Sequence, residues 1–245
     1  MSIFSSLKTD ADVKDDGDSL GMGSYVVDSG LYQTSVDLVY ASVSAGGALG
    51  MNCVFKTKDG REVRQTFWVQ SGDAKGNKNY WTDKDGVKHN LPGLNQANAL
   101  CQLTVGKEAH ELDDEEKVIN VWNSEAKAEV PTKVRVATEL LGKQITLGLI
   151  KQIVDKNIKD NNGKYVPSGE TRDENEVDKM FHPDSNLTVS EIKAGETEAK
   201  FIHAWKKKND GITRNKAKGA TSGGTTPGTA GAAAGASATP SLFGT

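Results

Sequence analysis

Asp59-Gly60 stands between two runs whose apolar residues recur at every second position, and this arrangement limits the fold more than any other feature of the chain. Upstream, Leu49-Gly50-Met51-Asn52-Cys53-Val54-Phe55-Lys56 alternates; downstream, Glu62-Val63-Arg64-Gln65-Thr66-Phe67-Trp68-Val69 alternates again. An Asp-Gly pair between such runs is the strongest short-range hairpin signal, because Gly takes the left-handed backbone conformation of a tight turn without strain. An earlier run, with Val36, Leu38 and Tyr40 set against Asp37, Val39 and Ala41, has the same period. Three strands at this spacing predict an antiparallel meander, and a period of two cannot sit as a helix.

Further along, residues 70–90 form a long polar loop, and a second Asp-Gly at Asp85-Gly86 predicts a small hairpin in its later half. Leu91-Pro92-Gly93 opens a helical pattern (Leu94, Ala97, Leu100, Cys101, Val105) that Gly106 stops. Glu111–Glu116 reads as a solvated turn, Val118–Trp122 as a strand, Thr138–Gly142 as one helical turn, and Gln144–Val154 as the long buried strand of the core. Residues 155–178 read as a polar stretch. Thr197–Lys208 reads as an amphipathic helix with Phe201, Ile202 and Trp205 on one face, running into a basic segment of Lys206, Lys207, Lys208, Arg214, Lys216 and Lys218. The fold class expected is mainly β with peripheral helices.

The hydrophobic share of 36% is low for 245 residues and unevenly spread. Residues 1–23 carry Asp10, Asp12, Asp15, Asp16 and Asp18 and read as a flexible acidic arm. Residues 24–215 hold the folding domain. Residues 216–245 are rich in Gly, Ala, Ser and Thr, the composition of a disordered tail. Cys53 and Cys101 lie in apolar-leaning segments without zinc spacing, so both are expected as reduced, buried thiols. The N-terminus lacks a hydrophobic signal core, and no apolar run approaches the ~18 residues of a membrane span, so a cytoplasmic protein without membrane contact is expected.

A net charge of −3 argues against binding nucleic acid through bulk charge alone, but steering depends on where charges sit. The polar loop sets Lys75, Lys78, Lys84 and Lys88 beside Tyr80 and Trp81, and the strand before it bears Arg64 and Trp68 on the face opposite its more apolar residues. Cations that follow phosphates and aromatic faces that stack on bases are what a single strand needs from a protein. The basic segment at 206–218 is a further candidate for phosphate, against its alternative as a solvated helix end. Catalytic signatures are scarce. The four histidines, His89, His110, His182 and His203, form no HExxH, and no GxSxG, phosphate loop or GxGxxG occurs. Glu125-Ala126-Lys127 and Glu191-Ile192-Lys193 match half of a nuclease motif, but a metal-dependent nuclease needs convergent carboxylates as well. A non-catalytic protein without cofactor or metal is expected.

Phe67-Trp68-Val69-Gln70-Ser71-Gly72-Asp73-Ala74-Lys75-Gly76-Asn77-Lys78-Asn79-Tyr80-Trp81 and Lys88-His89-Asn90-Leu91-Pro92-Gly93 carry a resemblance that extends over roughly residues 24–215. Leu103–Glu108, Glu129–Lys133 and Gly169–Glu176 add to it in order. The chain resembles the single-stranded-DNA-binding proteins of tailed bacteriophages. The resemblance implies an antiparallel barrel core of the oligonucleotide-binding (OB-fold) type and sequence-tolerant protection of single-stranded DNA during phage replication and recombination. It also implies phage or host replication proteins as partners and leaves room for a homo-oligomer. Many such proteins end in an acidic tail with a terminal Phe; here the tail is neutral, and Gly244-Thr245 follow Phe243. The rival expectation is a phage structural or scaffolding protein with a flexible tail as spacer.

Overall fold

A computed structural model describes residues 26–123, 126–160 and 165–218. The acidic arm, nearly all of the neutral tail and Glu125 of one ExK triplet lie outside the described residues. The meander forms as its alternation requires: β1 (Gly30–Val43), β2 (Leu49–Thr57) and β3 (Glu62–Trp68) pair antiparallel in sequence. At the β2–β3 turn the Thr57 N–H donates to the Arg61 carbonyl at 2.9 Å, and Gly60 takes φ +83°. This three-residue loop with glycine in the left-handed position is the next most common hairpin after the two-residue form.

The polar loop contains the expected small hairpin, β4 (Tyr80–Thr82) with β5 (Lys88–Asn90). Helix α1 (Pro92–Val105) follows, with Pro92 in its first turn and Gly106 closing it at φ +72°. Pro there needs no intrahelical partner for its missing N–H, and Gly accepts the left-handed cap without a Cβ penalty. Next come β6 (Glu115–Asn123), β7 (Ala128–Val136), β8 (Gln144–Lys159) and β9 (Tyr165–Phe181). The short α2 (Val189–Lys193), then α3 (Phe201–Asn209) and β10 (Thr213–Asn215), complete the described chain.

The central sheet runs β3-β2-β1-β8-β9, all antiparallel. β10 pairs parallel with β8 at Lys151–Ile153, beyond the end of β1, and β7 joins β1 at Tyr40 and Val136 and carries β6 outward. The outer strands β3 and β9 approach each other, but no ladder joins them among the described residues, so the sheet is not closed into a barrel. A side chain spans the seam instead: Gln65 Oε1 accepts a hydrogen bond from the Val177 N–H at 3.1 Å.

The core fills one side of this sheet, under α1. Phe55, Phe67, Val36, Val39, Ile145, Leu147 and Leu149 meet Ala97, Leu100 and Cys101 of α1, all essentially without solvent contact. Each large side chain so buried contributes about 1.5–3 kcal/mol. Gly93 lets the helix dock: a Cβ there would lie 2.3 Å from the Trp68 carbonyl oxygen. A second cluster, Ile150, Phe181, Ile202 and Trp205, seats α3 on the other face of β8 and β9. Gly148 gives way to the Trp205 ring, which a Cβ would meet at 2.9 Å.

Three expectations need correction. Residues 155–178 are not an irregular polar stretch: β8 runs on to Lys159, and β9 occupies almost all the described remainder. The Glu111–Glu116 segment is not merely a solvated turn, because Ala109–Glu111 form a 3-10 turn capped by Glu108 and β6 begins at Glu115. The basic segment is partly consumed by the fold: Arg214 pairs with Asp178 at 3.2 Å and Lys216 with Glu176 at 2.8 Å, while Lys206, Lys207 and Lys208 stay exposed on α3.

Both cysteines are buried in the core as expected. Burial pushes the Cys101 thiol up to about 12 and the Cys53 thiol higher still. Among the described residues no helix is long and apolar enough to cross a membrane.

Candidate nucleic-acid interface

Alternation along β3 sends Val63 and Phe67 into the core and turns Arg64, Thr66 and Trp68 outward. Trp68 is 46% exposed. It stands opposite Gly50 of β2, whose missing side chain leaves room for the indole: a Cβ there would meet the ring at 3.1 Å. Beside it, Thr66 donates to Asn52 Oδ1 at 2.8 Å and Asn52 Nδ2 donates to Ser42 Oγ at 2.7 Å. The outer face of β1, β2 and β3 thus carries the polar row Ser42, Asn52 and Thr66, with half-buried Tyr40 opposite Asn52 and exposed Trp68 at the end. Arg64, also on this face, is held by Glu62 at 2.9 Å and remains mostly exposed.

From Trp68 an open groove of about 640 Å³ continues between the β1–β2 turn and the first turn of α1. Small residues make its walls, among them Gly46, Ala48, Gly72 and Ala74, and Lys75 stands at its rim. The groove keeps its shape through backbone contacts. The Asp73 N–H donates to the Gly46 carbonyl at 2.9 Å, and a Cβ on Gly72 would lie 2.1 Å from that same oxygen. The 70s segment is therefore an ordered wall. Ser71 and Lys78 exchange hydrogen bonds, each at 2.8 Å, and Asn77 Nδ2 donates to Asp73 Oδ1 at 3.0 Å.

The β4–β5 ribbon divides the two remaining aromatics. Successive strand residues point to opposite faces, so Tyr80 and Trp81 cannot stack on bases from one side. Tyr80 is half-buried under two cations, with Lys88 Nζ 4.6 Å and Lys78 Nζ 5.8 Å from its ring centroid. Trp81, 48% exposed, stacks on His89 with centroids 4.7 Å apart. His89 is fixed in turn by Asp83 Oδ2 at 2.7 Å, and this hydrogen bond holds the Asp83 carboxyl below the usual carboxylate range. Lys75 and Lys84 are exposed and make no ion pair among the described residues.

The structure thus brings Trp68 and Lys75 to one groove, places Tyr80, Lys78 and Lys88 on one face of the neighbouring ribbon and Trp81 on the other, and leaves Arg64 farther along β3. Two exposed aromatics escaped the sequence reading. Trp122 is 59% exposed near the end of β6, and Tyr165, at the start of β9, is 63% exposed with Lys159 Nζ 5.6 Å from its ring. Their signal was an aromatic on the polar side of an alternating run.

Glu191 of the second ExK triplet is occupied structurally. It accepts hydrogen bonds from the backbone of Thr188, Lys200 and Phe201 at 2.8–3.0 Å. Burial raises its pKa, but these bonds outweigh burial and hold the carboxyl below its ordinary value. Among the described residues no group of three or more His, Cys, Asp or Glu is placed to hold a metal ion. No family model, curated protein or solved structure matches this chain.

Proposed function

We propose that this protein binds single-stranded DNA with little regard to sequence and protects it without cutting it, in the manner implied by the resemblance to phage single-strand-binding proteins. The observation that carries the reading is the exposed Trp68, set on the outer face of β3 and opening into a groove with Lys75 at its rim. A platform for base stacking beside cations for phosphate is the minimal equipment for sequence-tolerant binding. The ribbon bearing Tyr80, Lys78 and Lys88 extends the same chemistry.

The strand order supports an OB-type core. If the Gln65–Val177 bridge is counted as a closure, the path β1-β2-β3-β9-β8-β1 returns on itself with α1 beneath it. β6 and β7 are then an insertion before β8. Placement in the cytoplasm of an infected cell, and phage or host replication proteins as partners, belong to the same proposal.

The test is a fluorescence titration with a ~30-nucleotide oligo-dT and with the matching duplex, at low and high salt. Three of the four tryptophans, Trp68, Trp81 and Trp122, are exposed, while Trp205 is buried and serves as an internal reference. Quenching by the single strand alone is expected, weakened by salt with a log–log slope of about −0.7 per phosphate neutralised. Trp68→Ala should remove most of the quenching and about 1–3 kcal/mol of binding. Equal response to duplex, or salt-insensitive association, would overturn the reading.

The structural or scaffolding alternative draws on β6. Among the described residues this strand is paired on one side only and exposes Val118 and Trp122, and an edge of that kind is a template for another chain. Large defined assemblies formed without DNA would favour it.

A further inference from the structure

On the side of α1 away from the core, Asn95, Asn98 and Gln102 recur at i, i+3 and i+7 and line a cleft of about 420 Å³ against β9 and α2. Ala99 sits among them, and its small side chain gives the cleft its depth. Two of the amides are locked. The Ala109 N–H donates to Asn98 Oδ1 at 3.0 Å, which turns Asn98 Nδ2 outward as a donor. Gln102 Nε2 donates to Glu108 Oε1 at 3.2 Å, which leaves Gln102 Oε1 as an acceptor one turn away.

Neither the Asn98 donor nor the Gln102 acceptor has a further partner among the described residues. The carboxylates nearby are engaged: Asp178 by Trp205 and Arg214, and Glu108 by Gln102 and the capping of the turn that follows it. Lys193, exposed and outside any ion pair among the described residues, stands on the opposite wall, whereas Lys179 pairs with Gly148 on the face of β9 that meets Trp205. Gln96 borders both this cleft and the Trp68 groove, so the two meet over the first turns of α1.

We infer that the amide-lined cleft seats one nucleotide of the bound strand, its base against Asn98 and Gln102 and its phosphate on Lys193. The inference rests on the proposed single-strand binding and adds to it a subsite that reads the base. Oriented amide donors and acceptors discriminate between base edges, whereas aromatic stacking does not. The protein therefore tolerates any sequence along the Trp68 groove and yet prefers one base at a single position.

The test is anisotropy titration of the full chain with labelled dA, dC and dT 12-mers. The wild type should spread these homopolymers over a roughly five- to hundredfold range of affinity. Ala99→Leu, which fills the cleft with a good helix former, and Asn98→Ala/Gln102→Ala, which removes the reading groups without adding bulk, should each narrow the spread to about twofold, by weakening the tightest homopolymer. Lys193→Ala should weaken all three alike and reduce the salt slope by about 0.7. Should the wild type bind the homopolymers equally, or both cleft variants retain its spread, the subsite is refuted while single-strand binding stands. Absence of binding to any homopolymer by the wild type would remove both.

Discussion

Gly93→Ala is the most searching single-methyl perturbation of this fold. Gly93 lies in the first turn of α1, where it touches the main chain of the last β3 residue. A Cβ built there falls 2.3 Å from the Trp68 carbonyl oxygen, 2.6 Å from its nitrogen and 2.7 Å from its carbonyl carbon. These are backbone atoms held in the β2–β3 ladder, so no rotamer change relieves the clash. Restoring ordinary contact requires the helix to retreat by roughly 1 Å, which loosens Ala97, Leu100 and Cys101 against the sheet.

Overpacking of this kind costs about 1–3 kcal/mol, and the better helix propensity of Ala returns at most about 1 kcal/mol. A net loss of about 1–2 kcal/mol should lower the thermal midpoint by roughly 2–8 °C for a domain of this size. In urea the midpoint should fall with little change in slope. Gly46→Ala is the control, since a Cβ there meets nothing within 4 Å, and it should stay within about 0.5 kcal/mol of the wild type. A Gly93→Ala protein as stable as the wild type would refute the close docking of α1 on β3.

Gln65→Leu should leave the Val177 N–H without its acceptor, cost about 1–3 kcal/mol, and raise hydrogen exchange at that amide above its β9 neighbours; unchanged exchange would dismiss the side-chain bridge across the seam. The Asp83 carboxyl has a folded pKa below its unfolded value of about 3.9, so its contribution is full above that value and is lost as pH falls through the folded pKa. The Trp81–His89 stack should therefore loosen only below about pH 4, read as a change in indole emission that Asp83→Asn makes pH-independent there. Cys53 and Cys101 should be inert to a thiol reagent at pH 8 in the folded protein and both react after unfolding, because burial holds each thiol protonated.

The meander was legible because β1, β2 and β3 each bury one face, so hydrophobic alternation marks them directly. Helix α1 was legible from its apolar spacing and from Pro92 and Gly106. β9 was not, because its central run, Thr171-Arg172-Asp173-Glu174-Asn175-Glu176, is polar on both faces; the β8 ladder holds it, and only Val177, Met180 and Phe181 reach the core. β7 was hidden by Pro131, which reads as a strand breaker. Among the described residues only β6 pairs with it at that point, so the missing N–H can face the open side.

In the candidate site, the outward turn of Trp68 followed from alternation alone. The separation of Tyr80 from Trp81 followed once β4 was a strand. The row Asn95, Asn98, Gln102 has helical spacing too, but attention to the apolar face of α1 passes over its polar one.

The bridge between β3 and β9 also bears on synthesis. Gln65 and Val177 are 112 residues apart, and translation proceeds at about 5–20 residues per second, so the meander waits roughly 6–22 s before its far partner is made. During that interval Phe55 and Phe67 lack β8 and β9, and for part of it they lack α1 as well. The nascent meander is therefore the point at which a chaperone, or a neighbouring copy on the same messenger, would meet this chain. Slower translation of residues 144–181 should lower its soluble yield far more than the same slowing after Phe181.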